Sequence, residues 1–187
     1  MVAGPDVHLW WADLTAADAA LEATLPPSER ARLEGLDGAA RARRMVGAAL
    51  LRQAVRAHRG EEAEVAVDRT CEECGAQHGR PVVAGGPHVS VAHAGVLVVV
   101  ATCGTAPVGV DVERVSRFSG EQEPAAAAAA WVAHEARLKA GEGDGVASGS
   151  DAPEPPVLSL EPPLPGYAAA LRVAAAGPSG VRLVVHR

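Results

Sequence analysis

Apolar and polar residues alternate most strictly along Val108-Gly109-Val110-Asp111-Val112-Glu113, and a period of two marks a half-buried strand. The three valines then face a core, while Asp111 and Glu113 project together from the opposite face, their Cα atoms about 6–7 Å apart. Looser versions of the pattern predict strands at 7–12 and 64–67, and an alternating run from His88 to Gly95. Residues 96–101 form a short β-branched run that reads as a buried strand. Late strands follow at 157–160, 168–175 and 181–186, read as a hairpin and its neighbour. Helical spacing takes over at 39–58, where Met45, Ala48, Leu51 and Val55 share a face. Pro26-Pro27-Ser28-Glu29 predicts a helix start with Ser28 as N-cap, and Asp13-Leu14-Thr15 a turn into another helix. Residues 125–140 are rich in alanine, the best helix former, and stop at Gly141 and Gly143. Residues 114–124 read as a polar loop and 141–156 as a mobile one. Helices followed by short strands recur in each half, with no repeat at a fixed period.

A chain of 187 residues has room for one substantial domain or for two small halves sharing a core. Aromatic residues make up 3% against 48% hydrophobic, so Ala, Val and Leu must do most of the packing. A formal charge of −6 argues against a protein that coats nucleic acid, yet clustered arginines leave room for a small anionic ligand. Arg56 and Arg59 close the long helix, where cations favour its dipole. Arg41, Arg43 and Arg44 open it, so either solvent or an anionic partner has to account for that triplet. The first residues lack the basic start and apolar run of a signal peptide, and no apolar segment is long and regular enough to cross a bilayer. Three cysteines make no disulfide framework. The expectation is a cytoplasmic monomer with no nucleic-acid or membrane partner.

Two carboxylates on one strand face can converge on a hard divalent cation such as Mg2+, although an ordinary solvated face has the same pattern. Trp131, Glu135 and Lys139 fall at i, i+4 and i+8 of the alanine-rich helix. Glu135 and Lys139 then form either a surface ion pair worth about 0.3–0.5 kcal/mol, or a third carboxylate and a phosphate contact. His93 stands at a strand end or turn, and Arg80 is held between Gly79 and Pro81. Each reads as a polar surface residue or as an anion contact. Cys71 and Cys74 form half of a structural zinc site, with His78 a candidate third ligand and His88 or Cys103 a candidate fourth; the competing reading is a reduced cysteine pair in a loop.

The order Gly79-Arg80-Pro81, Val89-Ser90-Val91-Ala92-His93-Ala94-Gly95, Val108-Gly109-Val110-Asp111-Val112-Glu113 and Trp131-Val132-Ala133-His134-Glu135-Ala136-Arg137-Leu138-Lys139 resembles the broad-specificity, surfactin-type 4'-phosphopantetheinyl transferases. The resemblance covers roughly residues 25–187 and includes the arginine-rich helix and the closing strand from Pro165 to Ala170. It implies an α+β fold of two pseudo-symmetric halves (1–104 and 105–187) in one compact unit, each a small antiparallel sheet with helices packed on one face. It also implies Mg2+-dependent transfer of the phosphopantetheine arm of coenzyme A to a serine of an acyl or peptidyl carrier protein, releasing 3',5'-ADP. By similarity Asp111, Glu113 and Glu135 hold the metal, Glu135 is the general base and Lys139 steadies phosphate charge. Arg44, Arg80, His93 and Lys139 contact coenzyme A. The chain departs from the family pattern in four places. Ala92 replaces a serine, His134 a lysine and Arg80 a lysine, and the stretch between Glu113 and Trp131 is shorter, with Arg117-Phe118-Ser119 as its remnant. These departures support an alternative: a weak or inactive coenzyme A-binding member, or an enzyme of this fold acting on carrier-bound intermediates.

Overall fold

In the computed structural model, which describes residues 4–141, 156–174 and 180–187, the chain forms an α+β fold with two small sheets. Strand β1 (Asp6–Asp13) is followed by helices α1 (Ala19–Thr24), α2 (Pro27–Ala31) and α3 (Gly38–Arg59). Then come β2 (His88–Ala94), β3 (Leu97–Cys103), β4 (Val108–Arg114), α4 (Pro124–Lys139), β5 (Leu158–Leu160), β6 (Tyr167–Val173) and β7 (Arg182–His186). One sheet has the order β2-β3-β1-β7 and the other β4-β6-β5. No helix among the described residues is long and apolar enough to cross a membrane.

The alternation in β4 works as the sequence implies: Val108, Val110 and Val112 are buried in a core shared with Leu9, Val99 and Ala101 of the first sheet and Leu171 and Val173 of β6. The two sheets therefore pack face to face. The outer face of the first sheet carries α3, whose Val46, Leu51 and Val55 meet Trp10, Val98 and Val100. The outer face of the second carries α4, whose Val132 and Ala136 meet Ala170. All seven residues of β3 are buried because apolar layers cover both of its faces. β4 is an edge strand, and its Val110 N–H donates to the buried Ser90 Oγ on β2 at 3.0 Å, which joins the sheets through an otherwise unserved backbone donor.

Several expectations need correction. The first sheet is mixed: β7 does not join the other late strands but lies parallel to β1, with Val7 opposite Leu183. Residues 64–67 form no strand. Val65 packs against α3 and its carbonyl accepts from Arg52 Nη1 at 2.6 Å, so a side chain serves the group a ladder would have used. Helix α2 starts one residue before Ser28, with Pro26 as N-cap and Pro27 at the first helical position, where a missing N–H costs nothing. The predicted loop at 141–156 lies, but for its ends, outside the described residues, as does Ala175 of the predicted late strand.

The junction of β1, β7 and α3 holds three histidines. His8 Nδ1 lies 3.1 Å from His186 Nε2, His58 Nε2 lies 2.8 Å from Thr102 Oγ1, and His186 stacks on Trp10 with ring centroids 3.7 Å apart. Burial, reinforced by His8, lowers the pKa of both His58 and His186 below the ordinary 6.5. The unfolded chain therefore takes up protons first as pH falls, and stability declines from about pH 6.5 downward through the folded-state values. The melting temperature should drop between about pH 7.5 and about pH 5.5, and His186→Phe, which keeps a ring on Trp10, should drop less. Equal acid slopes in the two proteins would remove His186 from this account.

Candidate anion-binding cavity and carboxylate cluster

Helix α3 presents Arg43 and Arg44 to a cavity of about 450 Å³ whose wall is completed by α2, the segment around residues 69–81, β2 and the last turn of α4. Among the described residues six cations line it, Arg32, Arg43, Arg44, Arg69, Arg80 and Lys139, against one carboxylate, Glu29. Such a volume is within the range of small-molecule sites, and the charge selects an anion. Glu29 is buried and pairs with Arg32 Nη1 at 3.0 Å. Burial presses Arg69 below its ordinary pKa, Arg32 and Arg44 add to this, and Glu29 opposes it. A guanidinium remains charged at neutral pH despite that, so the crowding is a standing electrostatic cost that a polyanion would relieve.

The four residues expected to contact an anionic ligand, Arg44, Arg80, His93 and Lys139, all line this one cavity. Arg80 Nη2 also donates to the Lys139 carbonyl at the end of α4, a favourable place for a cation, and so ties the loop before β2 to the second sheet's helix. His93 is exposed as a residue, yet desolvation lowers its pKa; a backbone hydrogen bond opposes this, and Arg43, Lys139 and Arg44 reinforce it. The ring is therefore neutral at physiological pH and offers a hydrogen bond rather than a charge. Of the arginine triplet, Arg41 is engaged internally, with Glu22 at 2.7 Å and the Leu33 carbonyl at 2.8 Å. Arg43 Nη1 donates to the Gly95 carbonyl at 3.1 Å. Ala92 faces the shared core, so the residue at this position does not reach the cavity through its side chain.

Asp111 projects from β4 beneath α4 rather than into solvent, and is 6% exposed. Its Oδ1 accepts from Lys139 Nζ at 2.6 Å, so Lys139 pairs with Asp111 across the helix–strand contact and not with Glu135 as a surface pair. Oδ2 is buried and has no hydrogen-bond partner among the described residues. Burial raises the Asp111 pKa; Lys139 opposes the rise, and Glu135 and Glu113 reinforce it. Asp111 thus feels both neighbouring acids. The three do not converge tightly: Glu113 pairs with Arg117, and Cys71, Cys74 and His78 are the only metal-type group among the described residues with ligand atoms within 4.8 Å of one another. That group could hold a metal ion; His88 and Cys103 are outside it. Arg117 also lies 4.6 Å from the centre of the exposed Trp131 ring.

Sequence reasoning did not single out Arg69, Ser90 or Gly109. A Cβ on Gly109 would come within 2.0 Å of the Ala136 carbonyl oxygen, so its glycine is what lets α4 approach β4 with Lys139 above Asp111. A glycine inside a strand was the readable signal for such a backbone approach. Arg69 offered none, because its place in the cavity depends on how residues 68–82 fold back. No protein-family model and no curated protein sequence matches this chain.

Proposed function

We propose that the protein transfers the 4'-phosphopantetheine arm of coenzyme A to a serine hydroxyl of an apo carrier protein, with Mg2+, releasing 3',5'-ADP. The observation that carries this reading is a cavity lined by six cations beside a buried carboxylate with one unserved oxygen. A diphosphate with an additional phosphate on its ribose matches the first feature, and a hard cation bound to the diphosphate matches the second. The donor set fits: Mg2+ takes oxygen ligands and is commonly held by one or two carboxylates plus substrate phosphates. Asp111 would hold it, with Glu113 or Glu135 turning toward it. When bound, Mg2+ supplies charge neutralisation at the diphosphate.

The chain's own groups cover the rest of the chemistry. Arg44 and Arg80 bind phosphate oxygens through guanidinium forks, and neutral His93 contacts the nucleotide end. Glu135 accepts the proton from the serine hydroxyl as its oxygen attacks the phosphorus bearing the pantetheine arm. The bond from that phosphorus to the bridging oxygen breaks, and the electron pair leaves with 3',5'-ADP. Lys139 stabilises charge on the phosphates. The same reading takes the molecule as two similar halves, α3 over one sheet and α4 over the other.

The test is incubation with coenzyme A, Mg2+ and several apo carriers, followed by intact-mass measurement. The expected result is a carrier heavier by one phosphopantetheinyl group, dependent on Mg2+. A second reading, a coenzyme A-binding protein without turnover, draws on the Lys139–Asp111 ion pair, which ties up both groups. Calorimetric binding of coenzyme A with no mass gain on any carrier would favour it over transfer.

A further inference from the structure

Residues 68–82 form a loop closed at its base by two backbone hydrogen bonds between Asp68 and Val82, 2.9 and 2.8 Å long. Polar contacts hold its interior. Asp68 Oδ1 accepts from the Thr70 N–H at 2.8 Å, and Gln77 Nε2 donates to Thr70 Oγ1 at 2.8 Å. The chain reverses at Gly75, whose φ of +73° suits glycine, with the Gly75 N–H donating to the Cys71 carbonyl at 2.8 Å. This reversal brings Cys71, Cys74 and His78 together, their ligand atoms within 4.8 Å. Cys74 Sγ is 3.0 Å from His78 Nε2, and both cysteines are free thiols.

We propose that Cys71, Cys74 and His78 bind one Zn2+, completed by a water, and that this ion is the staple that lets the loop deliver Arg69, His78 and Arg80 to the anion cavity. Two sulfurs and an imidazole nitrogen are the ligand chemistry zinc selects. With ordinary Zn–S and Zn–N lengths a tetrahedral S···N edge is roughly 3.5 Å, so the Cys74–His78 pair opens by about half an ångström to admit the ion. No further His, Cys, Asp or Glu among the described residues belongs to the group, and the proposal gives the fourth position to water. Two thiolates cancel the charge of the ion, so its contribution is order rather than positive potential. That order matters because residues 71–80 are mostly exposed and bury little apolar surface of their own. His78 and Arg80 nevertheless wall the cavity of about 450 Å³, while Cys71 and Arg80 wall a neighbouring one of about 620 Å³.

The experiment strips metal from the reduced full-length chain and titrates it with Co2+ and then Zn2+. The expected result is a sulfur-to-cobalt charge-transfer band that saturates at one ion per chain and is bleached by Zn2+. Hydrogen exchange across residues 69–80 should slow on metal addition while α3 and β3 stay unchanged. Cys74→Ser should lose the band and Cys103→Ala should keep it. No band in a folded, reduced protein would overturn the site, as would a band retained in Cys74→Ser. Unchanged exchange in the loaded loop would overturn the staple. None of these readouts includes transfer, so cobalt loading in a protein that fails to bind coenzyme A would uphold this site while removing the nucleotide reading.

Discussion

Under the proposed transfer reaction, Asp111→Asn is expected to lower carrier modification by about 10³-fold, the equivalent of the several kcal/mol of charge stabilisation that a bound divalent cation would provide. The same change should leave the melting temperature unchanged or raise it. Burial is the largest influence on the Asp111 carboxyl and disfavours its charge, more than the Lys139 ammonium at 2.6 Å restores. A buried ion pair of this kind is weak support for stability. Asparagine keeps the side-chain shape and still offers Lys139 an oxygen, but carries no charge for a cation. Lost activity with retained stability is the pattern of a residue kept for function at a cost to the fold. Rate and thermal denaturation measured on the same preparation decide it: full transfer by Asp111→Asn would eliminate the metal role given to this carboxylate.

Gly109→Ala should be the most damaging glycine-to-alanine change among the described residues. The added Cβ would meet the Ala136 carbonyl oxygen at 2.0 Å, the Ala140 nitrogen at 2.5 Å and the Lys139 carbonyl carbon at 2.9 Å. All three are backbone atoms, so no side-chain rotation can clear the space and α4 must lift from β4. The expected loss is about 3 kcal/mol or more, or roughly 6–12 °C in melting temperature for a chain of this size. Lys139 would move away from Asp111, so activity should fall even below the melting range. Gly47→Ala is the contrast. Its Cβ would lie 3.8 Å from Val91 and Val98 side-chain carbons, ordinary contact inside a helix, where alanine is favoured by about 0.5–1 kcal/mol. Similar melting temperatures for the two variants would show that α4 has freedom to shift that the packing does not indicate.

Local patterns carried much of the architecture. The valines of β4, the apolar run of β3 from Leu97 onward and the stripe of Met45, Ala48, Leu51 and Val55 on α3 all report which side of one element meets apolar surroundings, and all are buried. Val96, read as the first residue of that buried run, lies in the turn before β3 and is exposed, because it has no strand partner to cover it. Extended segments that never find a ladder look the same at this level, so Val65 misled. Arg44, Arg80, His93 and Lys139 could be picked out as anion contacts before their placement was known, through the family resemblance. That they line one cavity follows from a helix, a loop, a strand end and a helix terminus meeting across more than ninety positions of chain.

What the sequence by itself determined was therefore periodicity and inventory: a two-residue rhythm in the strands, a helical one in α3, and arginines in numbers no single helix dipole needs. The tertiary structure alone decided the partners. It sent β7 beside β1, set Lys139 on Asp111 rather than Glu135, and added Arg69 to the cavity wall. The reason is physical. Periodicity records the side of an element that avoids water, a property of a few neighbouring residues. The choice of partner depends on which distant surfaces pack at least cost once every such side is buried, as the close approach of α4 to Gly109 illustrates.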